Sequence, residues 1–190
     1  HCLAIDPYFI YSEAPDTARI IKLARDTNNS MPKFVAEKTR EIIKNHTSMY
    51  KPKIAVLGVA YKGNTGDARE SPAFEIIQRL QSNGYEIAIH DPHIKNNHYV
   101  SLEDALESAS IALILADHNE FKELDYDLVL SKMKNPIIFD TKNIIRFKIT
   151  ERGKIIRCRA DAFIIRRLII SALRARARST SMSPDSEPNA

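Results

Sequence analysis

The stretch KIAVLGVAYKGNTGDARESPAFEIIQRL, residues 53–80, decides the fold because it holds a strand, a loop and a helix in immediate succession. Residues 54–61 form a continuous apolar run, which is typical of strands covered on both faces. A polar, glycine-bearing loop follows. Ser71 is the predicted N-cap of the helix, Pro72 stands in its first turn, and Gly84 is its predicted C-cap. The stretch therefore predicts the first strand and helix of a parallel sheet.

The chain beyond this unit continues to alternate between strand and helix patterns. Predicted strands are YEIAIHDP (85–92), IALILA (111–116) and PIIFDT (136–141), and predicted helices are SLEDALES (101–108) and DYDLVLSKM (125–133). This alternation predicts an α/β fold with a Rossmann-like, doubly wound parallel sheet. Ligands of such sheets bind beyond the carboxyl ends of the strands.

Two regions of different character flank the predicted sheet. Upstream, apolar residues recur at helical spacing over residues 16–28 and 31–45, which predicts a helical arm. Downstream of Asn143 the alternation fades, and residues 146–190 are first rich in Ile and Arg and then in Ser and Pro. We interpret this segment as an atypical, partly disordered basic tail. The alternative is a basic amphipathic helix for a membrane surface or a partner.

The net charge of +4 is distributed unevenly, and this argues against a nucleic-acid partner. Residues 1–145 carry 17 Lys and Arg against 20 Asp and Glu, a net charge of −3, whereas residues 146–190 carry 11 against 4, a net charge of +7. The body of the chain thus offers no excess of basic residues to a nucleic acid. No membrane association is expected, because no run of about 18 apolar residues is present.

The two cysteines, Cys2 and Cys158, have neither metal-ligand nor disulfide-framework spacing. A cytoplasmic location is therefore expected. Cys2 is also a candidate nucleophile, because a thiol is activated when its pKa is lowered or a base lies beside it, and Asp6 and His1 are the nearby groups. The alternative is that Cys2 is a small buried hydrophobic side chain.

The loop between the first strand and its helix is a candidate phosphate site. Lys62 and Arg69 suit phosphate oxygens, and unpaired N–H groups with the helix dipole at residues 71–74 favour an anion. The loop matches neither the GxGxxG pattern nor the P-loop pattern. On these residues alone, phosphate binding and an ordinary solvated loop are equally open.

Asp91 and three histidines follow the second predicted strand. An acidic side chain at this point often binds a ribose hydroxyl, but Asp91 followed by Pro92 is equally a common start of a turn. His90, His93 and His98 are irregularly spaced, so we interpret them as surface or turn residues and predict no metal site.

Three stretches taken together resemble the nucleotide-sugar 6-dehydrogenases, the family of the UDP-glucose and UDP-N-acetylmannosamine dehydrogenases. They are HCLAIDPYFI (1–10), KIAVLGVAYKGNTGDARESPAFEIIQRL (53–80) and YEIAIHDP (85–92). The resemblance implies an N-terminal Rossmann domain for NAD, a central helical domain that forms a homodimer, and a C-terminal Rossmann-like domain that holds UDP.

In that scheme the chain is the C-terminal part of the enzyme. Residues 1–50 are the end of the catalytic loop and the helical arm of the dimerisation domain, residues 51–145 are the UDP-binding domain, and residues 146–190 are the basic tail. The NAD domain is then missing, so the chain alone is expected to bind the UDP-sugar without oxidising it.

The motif around the first cysteine bears on the sugar. Ile5 stands where the glucose-type members tend to have a lysine, and residues 1–32 look most like the members that act on UDP-N-acetyl-D-mannosamine. The implied reaction oxidises the C6 alcohol of that sugar to a carboxylate with two NAD. UDP-N-acetylglucosamine and UDP-glucose are the alternative substrates. A non-catalytic nucleotide-binding module is the alternative of another class.

The resemblance also implies roles for individual residues. Cys2 matches the catalytic thiol, which captures the aldehyde intermediate as a thiohemiacetal and is later acylated as a thioester. Asp6 matches an aspartate that positions or activates the hydrolytic water. The remaining matched positions are the substrate-contacting Tyr61, Lys62 and Lys142 and the cofactor-reaching Arg69.

Overall fold

The computed structural model describes residues 2–48, 52–145 and 154–157, with side chains from residue 5 onward. These residues form seven helices and five strands. The helices are α1 (Cys2–Glu13), α2 (Arg19–Asn29), α3 (Met31–His46), α4 (Pro72–Ser82), α5 (Leu102–Leu106), α6 (Asn119–Lys122) and α7 (Tyr126–Lys132). The strands are β1 (Lys53–Leu57), β2 (Glu86–His90), β3 (Ile111–Ile114), β4 (Ile137–Asp140) and β5 (Lys154–Arg157).

The five strands form one parallel sheet in the order β2-β1-β3-β4-β5. Ala55 of β1 lies opposite Ala88 of β2 on one side and opposite Ala112 of β3 on the other. Strands β3 and β4 are buried along their whole length, and β1 is buried after its first residue, as expected of strands covered on both faces. The predicted α/β fold with a Rossmann-like, doubly wound sheet is confirmed.

Helix α4 begins as its local sequence signals predict. The Ser71 side chain accepts a hydrogen bond from the Ala73 N–H, and Pro72 occupies the first turn. The helix ends with Asn83 as C-cap, one residue before the predicted cap, and Gly84 follows with φ +81°. A glycine just past the last turn adopts this left-handed backbone without a Cβ penalty.

One hydrophobic cluster joins the strands of the sheet to helices α5, α6 and α7. Phe121 and Leu106 are each 1% exposed in it, and burial of a side chain of this size contributes about 1.5–3 kcal/mol. The Tyr126 hydroxyl reaches this core and donates a hydrogen bond to the Phe121 carbonyl oxygen at 2.5 Å. Burial raises the pKa of Tyr126, and the charge of Asp140 raises it further, so the hydroxyl remains a donor.

The helical arm consists of α1, α2 and α3. Helix α3 packs against α4, and its buried face includes Val35, Thr39 and Ile42. Helix α1 packs against α2, which has no buried residue. The predicted segments 16–28 and 31–45 correspond to α2 and α3, but α1 was not predicted. Its apolar residues do not follow a helical period, and Pro7 lies inside it.

Strand β5 lies in the segment predicted to be a basic tail. It pairs in parallel with β4, with Ile155 opposite Ile138, and forms the edge of the sheet. Residues 1–157 make up one compact unit. The predicted disorder, the alternative amphipathic helix and Cys158 all fall outside the described residues. Within the described residues, no helix is both long enough and apolar enough to cross a membrane.

Candidate functional site

The strand order creates a crevice at the carboxyl ends of two neighbouring strands. In the order β2-β1-β3-β4-β5, the connections from β1 and β3 leave in opposite directions, and ligands of open α/β sheets bind at such a switch point. The loop after β1, residues 58–71, and the loop after β3, residues 115–118, meet there. The candidate site is built from these two loops and from the loop after β4.

Tyr61 and Lys62 lie in the β1 loop with exposed side chains. The Tyr61 N–H donates to the Asp67 carbonyl oxygen at 2.9 Å, and the Thr65 hydroxyl donates to the Lys62 carbonyl oxygen at 2.8 Å. The Tyr61 residue is 40% exposed, which is high for an aromatic residue. The backbone of this loop is therefore ordered by internal hydrogen bonds while both side chains face solvent.

Asp91 anchors the start of the same loop from the end of β2. Its fully buried carboxylate accepts hydrogen bonds from the Val59 N–H at 2.7 Å, the Ala60 N–H at 3.2 Å and the His93 N–H at 2.9 Å. Burial opposes ionisation, but these N–H groups and the neighbouring His118 outweigh it and hold the pKa of Asp91 below its usual range. The carboxylate thus faces inward, and its bond to the His93 N–H two residues later is the contact expected of an aspartate at the start of a bend.

His118 is a buried residue of this site that sequence reasoning missed. Its Nδ1 accepts the Asn64 N–H at 2.9 Å, so the ring proton belongs on Nε2, which donates to Asp91 Oδ2 at 3.2 Å. Asp91 and His118 are 27 residues apart and meet only through the sheet. The available signal was a histidine two residues after the buried stretch IALILA, a position at the carboxyl edge.

Further bonds connect the β1 loop to the segment after β3. The Gly63 N–H donates to Asp117 Oδ1 at 3.1 Å, and the Asn119 N–H donates to Asn64 Oδ1 at 2.8 Å. A Cβ on Gly63 would lie 2.6 Å from the Asp117 carbonyl oxygen, so this approach requires glycine. Asn64 has φ +59°, a conformation that asparagine tolerates better than most residues.

Arg69 forms a two-pronged ion pair with Asp67 in the same loop. Its Nε donates to Asp67 Oδ1 at 2.9 Å and its Nη2 to Oδ2 at 2.8 Å. These hydrogen bonds lower the pKa of Asp67 to about 2. The Arg69 side chain is 76% exposed, so the guanidinium is held in place by Asp67 at the surface.

The first turn of α4 does not offer the unpaired donors that the sequence analysis expected there. Pro72 has no N–H, the Ala73 N–H donates to Ser71 Oγ at 3.3 Å, and the Phe74 N–H donates to the Ser71 carbonyl oxygen at 3.3 Å. The expectation of free N–H groups at residues 71–74 is therefore wrong, because the N-cap serine already uses them.

Lys142 follows β4 at the same edge of the sheet and is exposed. Buried Asp140 fixes its backbone, since one carboxylate oxygen accepts the Lys142 N–H at 3.0 Å and the other accepts the Ile145 N–H at 3.0 Å. The loops after β1 and β4 thus bring Tyr61, Lys62 and Lys142 to one edge of the sheet.

The predicted catalytic pair lies on α1, in the helical arm. Cys2 is the first residue of this helix and Asp6 follows one turn later, where residues share a helix face. Asp6 is exposed, and the Cys2 side chain lies outside the described part of the structure. Helix α1 is tied to α2 by Asn29, whose side-chain amide donates to the Tyr8 hydroxyl at 2.9 Å.

Two of the predicted turn histidines contact neighbouring segments. The His90 Nδ1 lies 3.0 Å from the Val100 carbonyl oxygen, whereas His98 is exposed. His93 Nε2 lies 3.0 Å from Glu120, and potential ligand atoms of His93, His118 and Glu120 fall within 4.8 Å of one another. Both ring nitrogens of His118 are already used, so the described geometry leaves this cluster only two available ligands.

Comparisons with known proteins agree with this architecture. Residues 55–147 match the family model described as the UDP-glucose/GDP-mannose dehydrogenase family, UDP binding domain. A UDP-N-acetyl-D-mannosamine dehydrogenase of Methanocaldococcus jannaschii is 42% identical over 157 residues, which is 80% of this chain and 36% of that protein.

Two solved structures show the same similarity in three dimensions. The UDP-N-acetyl-mannosamine dehydrogenase from S. aureus matches with a TM-score of 0.72 and 41% identity over 83% of this chain and 37% of its own. The UDP-D-ManNAc dehydrogenase from Pyrococcus horikoshii matches with a TM-score of 0.74 and 35% identity over 81% and 37%. The chain thus spans little more than a third of the length of these relatives.

Proposed function

Because the chain belongs to the UDP-glucose/GDP-mannose dehydrogenase family, we propose that it supplies the UDP-binding part of an NAD-dependent enzyme that oxidises the C6 alcohol of UDP-N-acetyl-D-mannosamine to the carboxylate. The observation that carries this proposal is the position of Tyr61, Lys62 and Lys142. All three follow strands of the sheet at its carboxyl edge, within the range that matches the UDP binding domain. The relatives at 42% and 41% identity favour this sugar over UDP-glucose and UDP-N-acetylglucosamine.

In this proposal the β1 and β4 loops bind the substrate. The ammonium groups of Lys62 and Lys142 neutralise the diphosphate, and the exposed ring of Tyr61 packs against the nucleotide or the sugar. Because internal hydrogen bonds already fix the backbone that carries these side chains, less conformational entropy is lost when the substrate binds. The proposed UDP-binding domain comprises residues 51–145, and strand β5 completes its sheet at the edge.

The proposed chemistry on the helical arm needs a thiolate and a water. Cys2 Sγ attacks the C6 aldehyde carbon, the carbonyl π electrons move to oxygen, and a proton completes the thiohemiacetal. Loss of the hydride from this carbon and of the proton from the hydroxyl oxygen gives the thioester. Asp6 orients or deprotonates a water that attacks the thioester, which releases the carboxylate and the free thiol.

NAD would accept the hydride in such a reaction, but the turn after β1 does not fit a dinucleotide pyrophosphate. It lacks GxGxxG, Asp91 occupies the Val59 and Ala60 N–H groups, and Ser71 occupies those of the first turn of α4. We therefore assign the main NAD site to a part of the complete enzyme outside residues 1–190. Arg69, exposed and held by Asp67, is the residue proposed to reach the cofactor from this chain.

We also propose an oligomeric state and a cellular compartment for the complete enzyme. Residues 1–50 form the arm of a dimerisation domain, and α1 and α2 expose Phe9 at 66%, Ile20 at 76% and Leu23 at 62%. Exposed apolar residues of this density favour burial against another protein surface, here a second copy of the enzyme. We propose the cytoplasm as the compartment, where Cys2 remains a thiol.

Titration calorimetry of this chain with UDP, UDP-N-acetyl-D-mannosamine and NAD tests the binding proposal. We expect both uridine ligands to bind and NAD to bind at least tenfold more weakly. Lys62→Ala should weaken UDP about tenfold through loss of a charge-assisted contact, whereas Lys95→Ala, a change of an equally exposed lysine, should leave it unchanged. Tight NAD binding without UDP binding would contradict the assignment.

The covalent step is tested in the complete enzyme. Cys2→Ala should abolish turnover and leave substrate affinity within about threefold, because the thiol is required for aldehyde capture and little for ground-state binding. Normal turnover by this variant would exclude the covalent mechanism at Cys2.

A further inference from the structure

The segment that contains Tyr61 and Lys62 is fixed on both flanks by side chains from other strands. On the N-terminal flank, Asp91 from the end of β2 accepts the Val59 and Ala60 N–H groups. On the C-terminal flank, His118 Nδ1 from the end of β3 accepts the Asn64 N–H. The two anchors are joined to each other, because His118 Nε2 donates to Asp91 Oδ2.

The His118 ring is suited to this role because it is fully buried and its two nitrogens have opposite functions. An acceptor at Nδ1 and a donor at Nε2 are both required, and among ordinary side chains the neutral imidazole supplies them from one rigid plane. Phe121 packs edge-on against the ring with centroids 5.3 Å apart, and the His93 ring lies on it at 4.7 Å. The ring orientation is therefore fixed by packing on two sides.

We propose that His118 is a positioning residue for substrate binding, which sets the geometry of Tyr61 and Lys62 by holding the Asn64 N–H at one end of their segment. This inference rests on the proposed function for the role of the two side chains. His118 itself is buried and does not contact the UDP-sugar. Its effect is exerted through the backbone, so it changes substrate affinity and not the chemistry at Cys2.

Two substitutions separate the two hydrogen bonds of the ring. His118→Asn places its amide oxygen near the position of Nδ1 and keeps an acceptor for the Asn64 N–H. His118→Gln places its amide nitrogen near Nε2 and keeps a donor for Asp91 but loses that acceptor. Both variants remove the packed ring, so a purely structural role predicts similar losses in both. His98→Asn, at an exposed histidine, is the matched control.

The test combines amide hydrogen exchange at Asn64 with calorimetry using UDP, both on the full chain. In His118→Gln we expect the Asn64 amide to exchange at least tenfold faster and the UDP affinity to fall about tenfold, because a half-buried N–H loses its acceptor. In His118→Asn and His98→Asn we expect the Asn64 exchange rate and the UDP affinity to stay within about threefold of those of the unaltered chain. Equal losses in the Asn and Gln variants overturn the positioning role.

An independent variant covers the case in which His118→Gln does not fold. Asn64→Gly tolerates φ +59° and leaves the buried ring untouched, but removes the side-chain bond to the Asn119 N–H. We expect the UDP affinity to stay within about threefold, because the backbone N–H of residue 64 keeps its acceptor at His118 Nδ1. A tenfold loss overturns the proposal, because the Asn64 side chain and not His118 would then hold this end of the segment. Failure of the unaltered chain to bind UDP overturns the proposed function itself, whereas normal binding by the Gln variant overturns only the role of His118.

Discussion

At the residue scale, Asp91 shows how one buried carboxylate organises a functional loop. It joins the start of the β1 loop, the turn after β2 and the ring of His118. A carboxylate suits this position because it accepts several hydrogen bonds and donates none. Its negative charge remains tolerable in the interior because each bond comes from a polarised N–H.

Asp91→Asn should lower the free energy of unfolding at pH 7 by about 2–3 kcal/mol, because the amide places a donor against one of the N–H groups that the carboxylate accepts. The folded pKa of Asp91 lies below its unfolded value of about 3.9, so this stabilisation is complete above that pH and is lost as the pH falls through the folded pKa. Urea unfolding at pH 7 and pH 3 should therefore show a smaller difference between the two proteins at pH 3. Asp16→Asn, at an exposed carboxylate, should change stability by less than about 0.5 kcal/mol at both pH values. A difference that does not depend on pH would show that the charge of Asp91 has no part in the effect.

At the element scale, the sequence predicted the structures that are determined locally and missed those that depend on distant partners. Helix α4 was predictable because Ser71, Pro72 and Gly84 act within a turn of their own position. Strand β5 was not, because four residues in a basic segment become a strand only beside the buried edge of β4. His118 was missed for the same reason, since its partners lie 27 and 54 residues away.

The close packing of the turn after β1 gives a prediction at the element scale. Gly58 has φ +83°, and a Cβ there would lie 2.5 Å from Ala116 Cβ. Gly58→Ala should therefore cost about 2–4 kcal/mol, from backbone strain and overpacking together. Gly84→Ala, at φ +81° after α4, shares the backbone conformation and should cost only about 1 kcal/mol. Thermal and urea unfolding of both variants provide the comparison, and equal losses would mean that contact with Ala116 contributes nothing.

At the scale of the whole molecule, one sheet collects residues that are far apart in sequence. The order β2-β1-β3-β4-β5 places the loops after β1, β3 and β4 side by side. Residues as far apart in sequence as 58 and 142 therefore lie at one edge. The sequence established that such an edge exists and which residues follow the strands. The hydrogen bonds between the loops could not be predicted, because they depend on the strand register and the sequence pattern does not specify it.

The prediction for the whole molecule concerns strand β5, at the edge of the sheet. Strand β5 covers the backbone of buried strand β4, and the Arg157 side chain donates to the Ile145 carbonyl oxygen at 2.9 Å. A chain that ends after residue 157 retains these bonds, whereas a chain that ends after residue 153 leaves the edge of β4 unpaired. We expect the shorter chain to lose about 2 kcal/mol of stability, from lost hydrogen bonds and burial, and to self-associate through the exposed edge.

Urea unfolding and light scattering of the two truncated chains, each compared with the full chain, measure this effect. Because residues 1–157 form one compact unit, the chain that ends at residue 157 should unfold at the same urea concentration as the full chain. A chain that ends at residue 153 and remains monomeric and equally stable would show that β5 is not part of the folded sheet in solution. The basic segment would then lie outside the domain, as its composition alone suggests.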